Sequence, residues 1–340
     1  MILECQPFDL RFKHAFAISN FSRTFTRIVL TQIKLDGHIG YGEASIPSYL
    51  GETAELSMAF LEKVKPLLKN ISYPFDIEAI MREMDALDEN YRAAKAAIDI
   101  ALHDLKGKMD SVPVWKMLGV DKKTMPLTSI TLGIDTPPLL KQKVEEAADF
   151  KVLKIKLGSA DDKKIINTIR EMTDKPLYVD ANQGWKDKHF ALDMAHWLAQ
   201  QGVELIEQPM PKADLDGNAF VTEGSPIPTF ADESFQRLSD LPKITGAFHG
   251  VNVKLMKCTG LSEGLKIVHA ARQNKMKILI GCMSETSCGI MAGAALAPLC
   301  NFADLDGPWL TSNNPFKTPK LIKGKIQLNQ IAGLGIMGNG

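Results

Sequence analysis

Two rhythms of apolar and polar positions divide the chain. From residue 2 the apolar residues fall in strand-like stretches at 2–13 and 25–35, and Asp36-Gly37 is a turn dipeptide leading into a third strand at about 38–44. These stretches predict a meander. After Gly51-Glu52-Thr53 the spacing becomes helical, with Leu56, Phe60, Leu61, Val64 and Leu68 on one face, then a second segment near 76–86 and a third from about 89 to 108. The first rhythm thus predicts an α+β unit over residues 1–122.

From Pro126 onward short apolar runs alternate with amphipathic stretches. The runs are 126–134, 151–158, 176–182, 203–209, 228–234, 250–255, 276–283 and 302–306, with seven helical candidates in the gaps, among them 160–172, 186–201 and 260–273. A β/α repeat of this kind predicts a parallel barrel over 123–308 rather than a sandwich. Residues 309–340 lack an eighth long helix and are expected to return to the first unit, with KGKIQL (323–328) as one more strand.

Composition narrows the partners. Forty basic and forty acidic side chains cancel, so no long-range field draws in nucleic acid or an anionic membrane, and a small charged ligand must be held by local groups. Cys5, Cys258, Cys282, Cys288 and Cys300 contain no CxxC pair and no zinc-ribbon spacing, which points to reduced thiols. No apolar stretch approaches the roughly 18 residues of a membrane helix, and the N-terminus lacks a secretory pattern. A cytoplasmic protein is expected.

In a β/α barrel the C-terminal strand ends converge on one mouth, so polar residues that close apolar strands carry the chemistry. The second strand ends Lys154-Ile155-Lys156, and alternation turns both lysines to one side. The third, fourth and fifth end in Asp180, Glu207 and Asp232, one β/α unit apart; the sixth carries Lys254, and the eighth ends Asp304-Leu305-Asp306. Three carboxylates at one mouth need a cation, and oxygen donors without His or Cys favour Mg²⁺. Lys156 and Lys254 close strands on opposite sides of these acids, which suits proton removal on one face of a substrate and return on the other. Lysine is a base only when its amine is partly neutral; a neighbouring Lys154 and a cation favour that form. Lys154 is also placed to donate to a developing oxyanion.

These motifs (KxK at Lys154/Lys156, DAN at Asp180, EQP at Glu207, ADES at Asp232, and Lys254) resemble the enolase superfamily, specifically its muconate-lactonizing subgroup. The resemblance spans the chain and includes AAIDIALHDLKGK (96–108), similar to the helix that precedes the barrel in those enzymes. It implies an α+β capping domain on a modified (β/α)7β TIM-type barrel, Mg²⁺, and abstraction of a proton α to a carboxylate to give an enediolate. Asp304-Leu305-Asp306 looks like the paired acids with which dipeptide epimerases hold a substrate ammonium. The expected activity is an isomerase inverting the α-carbon of a dipeptide's C-terminal residue. N-acylamino acid racemase and o-succinylbenzoate synthase of the same subgroup are the alternatives, and a homo-oligomer is left open by the family's symmetric assemblies. A non-catalytic scaffold is disfavoured because no group of the set is missing.

Asn182 and Glu285 are expected to support the site from behind, Glu285 by positioning Lys254 or Asp232. Specificity falls to the loop AFAISNFSRTFTR (15–27). In the alanyl-glutamate branch an arginine there pairs with the substrate side chain; here Phe21 stands at or beside that position and Arg23 two residues later. Phe21 and Phe25 favour an apolar C-terminal residue, with alanine or another small residue at the N-terminal position. Arg23 keeps Ala-Glu as the competing outcome.

Overall fold

The computed structural model describes residues 1–18, 21–46, 48–133 and 135–339, with side chains for all of these except 16–18, 21, 22 and 48. The meander is β1 (Ile2–Ile18), β2 (Phe21–Leu35) and β3 (His38–Ser45), antiparallel in that order. Helices α1 (Ala54–Lys69), α2 (Ile77–Leu87) and α3 (Arg92–Met109) follow. Thr53 and Asp76 start the first two by accepting bonds from Leu56 N and Ala79 N, satisfying amides that have no partner inside the helix. On α3, residues 93–105 are all buried, because the helix packs on the sheet with one side and on the barrel with the other. A Cβ at Gly42 would lie 1.9 Å from Ala97 O, so this glycine is what lets α3 lie so close to β3.

After a short α4 (Val114–Met117), eight parallel strands run in chain order: β4 (Ser129–Leu132), β5 (Val152–Lys156), β6 (Leu177–Asp180), β7 (Val203–Glu207), β8 (Thr229–Ala231), β9 (Gly250–Lys254), β10 (Lys277–Gly281) and β11 (Phe302–Asp304). A parallel bridge between Thr128 and Ala303 closes the ring. The connections carry α5 (Pro137–Glu146), α6 (Asp162–Arg170), α7 (Lys188–Gln200), α8 (Leu215–Gly224), α9 (Leu241–Ile244), α10 (Leu261–Gln273) and α11 (Ser287–Leu296); α12 (Gly307–Leu310) follows the last strand. The expected capped barrel is therefore observed. Among the described residues no helix is long and apolar enough to cross a membrane.

Three details differ from the sequence reading. The fifth connection holds one 3-10 turn and the four-residue α9, since Pro242 and Gly246 leave no room for a long amphipathic run. Residues expected as a loop between the first two strands belong to a hairpin extended to the Ile18–Phe21 pair, with a register break between Arg11 and Phe16. The KGKIQL segment does not join the meander: β12 (Leu321–Ile322) pairs with β13 (Lys325–Ile326), and Thr128 N donates to Gly324 O at the start of the barrel, while bridges Phe12–Thr311 and Pro113–Gly333 return the rest of the tail to the first unit. It reaches the first unit on either side of that hairpin, through Ser312 N to Arg11 O and Leu334 N to Asp104 Oδ1.

The barrel interior is layered. Val152, Tyr178, Leu205, Phe230 and Leu279, with Leu127 and Phe302, form an apolar plug in which Phe302 meets Tyr178 and Phe230 edge-on. Each such side chain contributes about 1.5–3 kcal/mol by leaving water. Two residues further along the same strands stand Ser129, Lys154, Asp180, Glu207, Asp232, Gly281 and Asp304. Alternation thus converts a dry floor into a charged mouth within one strand repeat.

Candidate active site

Asp180, Glu207 and Asp232 each offer an oxygen within 4.8 Å of the others, and all three are buried. Four lysines surround them. Lys154 Nζ lies 2.6 Å from Glu207 Oε2, 2.8 Å from Asp304 Oδ2 and 3.4 Å from Asp180 Oδ2. Lys156 Nζ is 2.6 Å from Asp180 Oδ2, and Lys254 Nζ is 2.7 Å from Asp232 Oδ2. The expected lysines thus reach the acids from β5 on one side and β9 on the other. Burial alone would lower the ammonium of Lys154, but Asp304, Glu207 and Asp180 outweigh it and hold its pKa well above the usual lysine value. Lys154 therefore stays an ammonium, paired with these three acids. Burial together with Asp180 pushes Glu207 up to about 7, whereas Lys254 and Lys257 overcome burial and hold Asp232 well below the carboxylate range.

Several groups at the mouth lie outside the sequence reading. Lys257 is buried, with Nζ 2.5 Å from Asp232 Oδ1 and 2.8 Å from Asp232 O. Asn252 Nδ2 holds Glu207 Oε1 at 2.7 Å, in space that exists because a Cβ on Gly281 would lie 2.4 Å from Asn252 Oδ1. Asn252 was findable, since it shares the inward face of β9 with Lys254; Lys257 sits in the turn beyond the strand, where alternation has stopped. Glu233 is 7% exposed, and Asn182 Nδ2 approaches its Oε1 at 3.4 Å. Burial and the adjacent Asp232 and Asp180 push Glu233 up to about 7.

The paired acids of the eighth strand have separate partners. Asp304 Oδ1 accepts from Ser129 Oγ at 2.7 Å, and its other oxygen from Lys154. Asp306 starts α12 and accepts from Thr131 N at 2.6 Å and, weakly, from Cys282 Sγ at 3.7 Å. Burial and Asp304 push Asp306 up to about 6. Glu285 bonds neither Lys254 nor Asp232 in the described contacts. It accepts from Met283 N and lies near Glu43 of β3, and burial with that second carboxyl raises it well above the usual range. Glu285 thus lies between Glu43 of the capping unit and the charge of Lys254, which itself bonds Asp232 from β9.

At the hairpin, Arg23 donates to Ser284 Oγ at 2.9 Å and to Thr26 Oγ1 at 3.2 Å, and its guanidinium lies over the Phe12 ring. Arg23 is thereby seated on the barrel's strand-seven loop. Phe25 is 47% exposed, and the side chain of Phe21 lies outside the described residues.

The donor set fits a hard divalent cation. Three carboxylates supply only oxygen, while lysines and Asn252 hold their outer oxygens in place. The family model for the mandelate racemase / muconate lactonizing enzyme N-terminal domain matches residues 6–119, and the enolase C-terminal domain-like model matches 139–339. An L-Ala-D/L-Glu epimerase of Bacteroides thetaiotaomicron is 51% identical over 332 residues, covering 97% of this chain and 86% of that protein. A dipeptide epimerase from Enterococcus faecalis, solved with Mg and L-Leu-L-Tyr, superposes with a TM-score of 0.90 at 34% identity over 98% of both chains. The substrate-liganded L-Ala-D/L-Glu epimerase of Bacillus subtilis gives 0.92 at 28% identity over 99% of this chain and 98% of that one.

Proposed function

The chain belongs to the mandelate racemase / muconate lactonizing enzyme family of the enolase superfamily, and from that premise we propose that it is a Mg²⁺-dependent dipeptide epimerase inverting the C-terminal residue. The observation that carries this reading is the trio Asp180, Glu207 and Asp232, within 4.8 Å of one another and flanked by Lys156 and Lys254. Asp180, Glu207 and Asp232 would hold the Mg²⁺, which would supply positive charge opposite a substrate carboxylate. The lysines do the rest of the chemistry. One Nζ takes the α-proton from its face of the substrate, and the other returns a proton to the opposite face.

Recognition follows from the remaining charges. Asp306, whose Oδ1 takes a weak thiol bond from Cys282, accepts the substrate ammonium, while Asp304 is tied to Lys154 and Ser129 and fixes the wall beside it. Arg23 pairs with the side-chain carboxylate of a C-terminal glutamate. A guanidinium can hold a carboxylate through two parallel charge-assisted bonds, and the 51% identical relative from Bacteroides thetaiotaomicron is an L-Ala-D/L-Glu epimerase. L-Ala-L-Glu is therefore the proposed substrate, ahead of apolar dipeptides.

Incubation with L-Ala-L-Glu and Mg²⁺ in D₂O, followed by mass spectrometry, tests the proposal. Deuterium at the glutamate α-carbon and formation of L-Ala-D-Glu are expected. Faster turnover of N-acetylated amino acids than of free dipeptides would favour the N-acylamino acid racemase reading instead.

A further inference from the structure

Each of the two lysines that flank the acids is followed by a turn into a helix, and the two turns are held differently. Beyond Lys156 the described bonds stay within the barrel. Asp162, buried at the start of α6, accepts from Gly158 N at 3.0 Å, from Ser159 N at 2.8 Å and from Trp185 Nε1 at 2.8 Å. Beyond Lys254 the chain turns through 255–260, with Lys257 N donating to Lys254 O at 2.9 Å and Gly260 N to Leu255 O at 3.0 Å, and α10 then begins.

The first amides of a helix have no partner inside it, and a side chain just before the helix normally accepts from them. Before α10 that residue is Gly260, which has no side chain to offer. Asp99 of α3, in the capping unit, fills the role instead. Its Oδ2 accepts from Leu261 N at 2.5 Å and from Ser262 N at 3.2 Å, and its Oδ1 accepts from Ser262 Oγ. A Cβ at Gly260 would lie 2.4 Å from Asp99 Oδ2, so the glycine that leaves α10 uncapped also makes room for the foreign carboxylate. A second tie runs the same way: Thr259 Oγ1 donates to Glu263 Oε2 at 3.3 Å, and Arg237 holds that carboxylate at 2.6 Å while reaching Asp85 of α2 at 3.3 Å. The turn that carries Lys254 into its helix is therefore anchored on the cap, and the turn beyond Lys156 on the barrel itself.

We infer that Asp99 is a positioning residue for the Lys254 face: by capping α10 from the capping unit it sets where the turn beyond β9 holds Lys254, so the cap governs one of the two proton-transfer faces and not the other. The inference rests on the two-lysine reading above.

The test is α-proton exchange in D₂O at saturating Mg²⁺, followed by mass spectrometry with L-Ala-L-Glu and L-Ala-D-Glu assayed separately. The diastereomer that Lys254→Ala no longer exchanges reports the Lys254 face, and the one that Lys156→Ala no longer exchanges reports the other. Asp99→Ala should slow exchange on the Lys254 face by about 10–100-fold, the cost of a small misplacement of a reacting group by a change far from the chemistry. Exchange on the Lys156 face should stay near the wild-type rate. A brace that merely holds the fold together would slow both faces alike. Equal losses on the two faces, a larger loss on the Lys156 face, or an unchanged Lys254 face would overturn the inference. If Asp99→Ala does not fold, Ser262→Ala, which removes one donor to Asp99, decides by the same comparison of faces. A wild-type chain that exchanges neither diastereomer would overturn the functional reading, and this inference with it.

Discussion

The barrel mouth and the tip of the β1–β2 hairpin serve the same proposed reaction but are held by different physics. At the mouth the lysines and the three acids brace one another: Lys154 bridges Glu207, Asp304 and Asp180, Lys257 and Lys254 share Asp232, and Asn252 fixes Glu207. These side chains rise from an apolar floor two residues below them. At the hairpin, Arg23 donates to Ser284 of the strand-seven loop, His14 meets Glu146 of α5 at 2.8 Å, and Phe25 is 47% exposed. The proposed chemistry is thus built into a closed charge network on the strands, and the proposed selectivity into a hairpin tied to the barrel and tail by single side-chain and backbone contacts. Substitutions at the mouth should change whether the reaction occurs, and those at the hairpin which dipeptide undergoes it.

The largest expected effect is at Lys254. Lys254→Ala should lower the rate of epimerisation by about 10²–10⁴-fold, the range for removal of a positioned acid–base group. Asp306→Asn should come next. It weakens a charge-assisted contact of about 1.5–3 kcal/mol, so kcat/KM for free dipeptides falls roughly 10–150-fold while that for N-acetylated analogues hardly moves.

Lys257→Met removes the donor to both Asp232 Oδ1 and Asp232 O. Mg²⁺ Kd should rise by about 10–100-fold by calorimetry, with a smaller change in KM measured at saturating Mg²⁺. The smallest absolute effect belongs to the hairpin. Arg23→Leu should lower kcat/KM for L-Ala-L-Glu by about tenfold relative to L-Ala-L-Leu. Equal losses for both substrates would make Arg23 a structural brace between hairpin and barrel, and would blur the division drawn above.

The same contrast explains what could be read from the sequence. The β/α repeat and the acids at Asp180, Glu207 and Asp232 were legible because strand alternation carries each apolar floor residue to a polar residue two positions on. Lys257 and Glu233 lie in turns past their strands, where no period applies. Asp306 was expected to act as a twin of Asp304, but it starts α12 with φ −106° and ψ −6°, so alternation ends before it and the two acids take different partners. The fifth helix shrank because Pro242 and Gly246 cut its run short. Arg23 was visible as a charge, yet its seat on Ser284 depends on pairing between distant segments, 261 residues apart.

Exchange of the substrate α-proton in D₂O by Lys156→Ala and Lys254→Ala, each assayed separately with L-Ala-L-Glu and L-Ala-D-Glu, tests the central claim most directly. If the two lysines serve opposite faces, each variant loses epimerisation, and the two variants retain deuterium exchange with opposite diastereomers. Loss of exchange with the same diastereomer in both variants, or epimerisation at the wild-type rate by either, would contradict the two-base account.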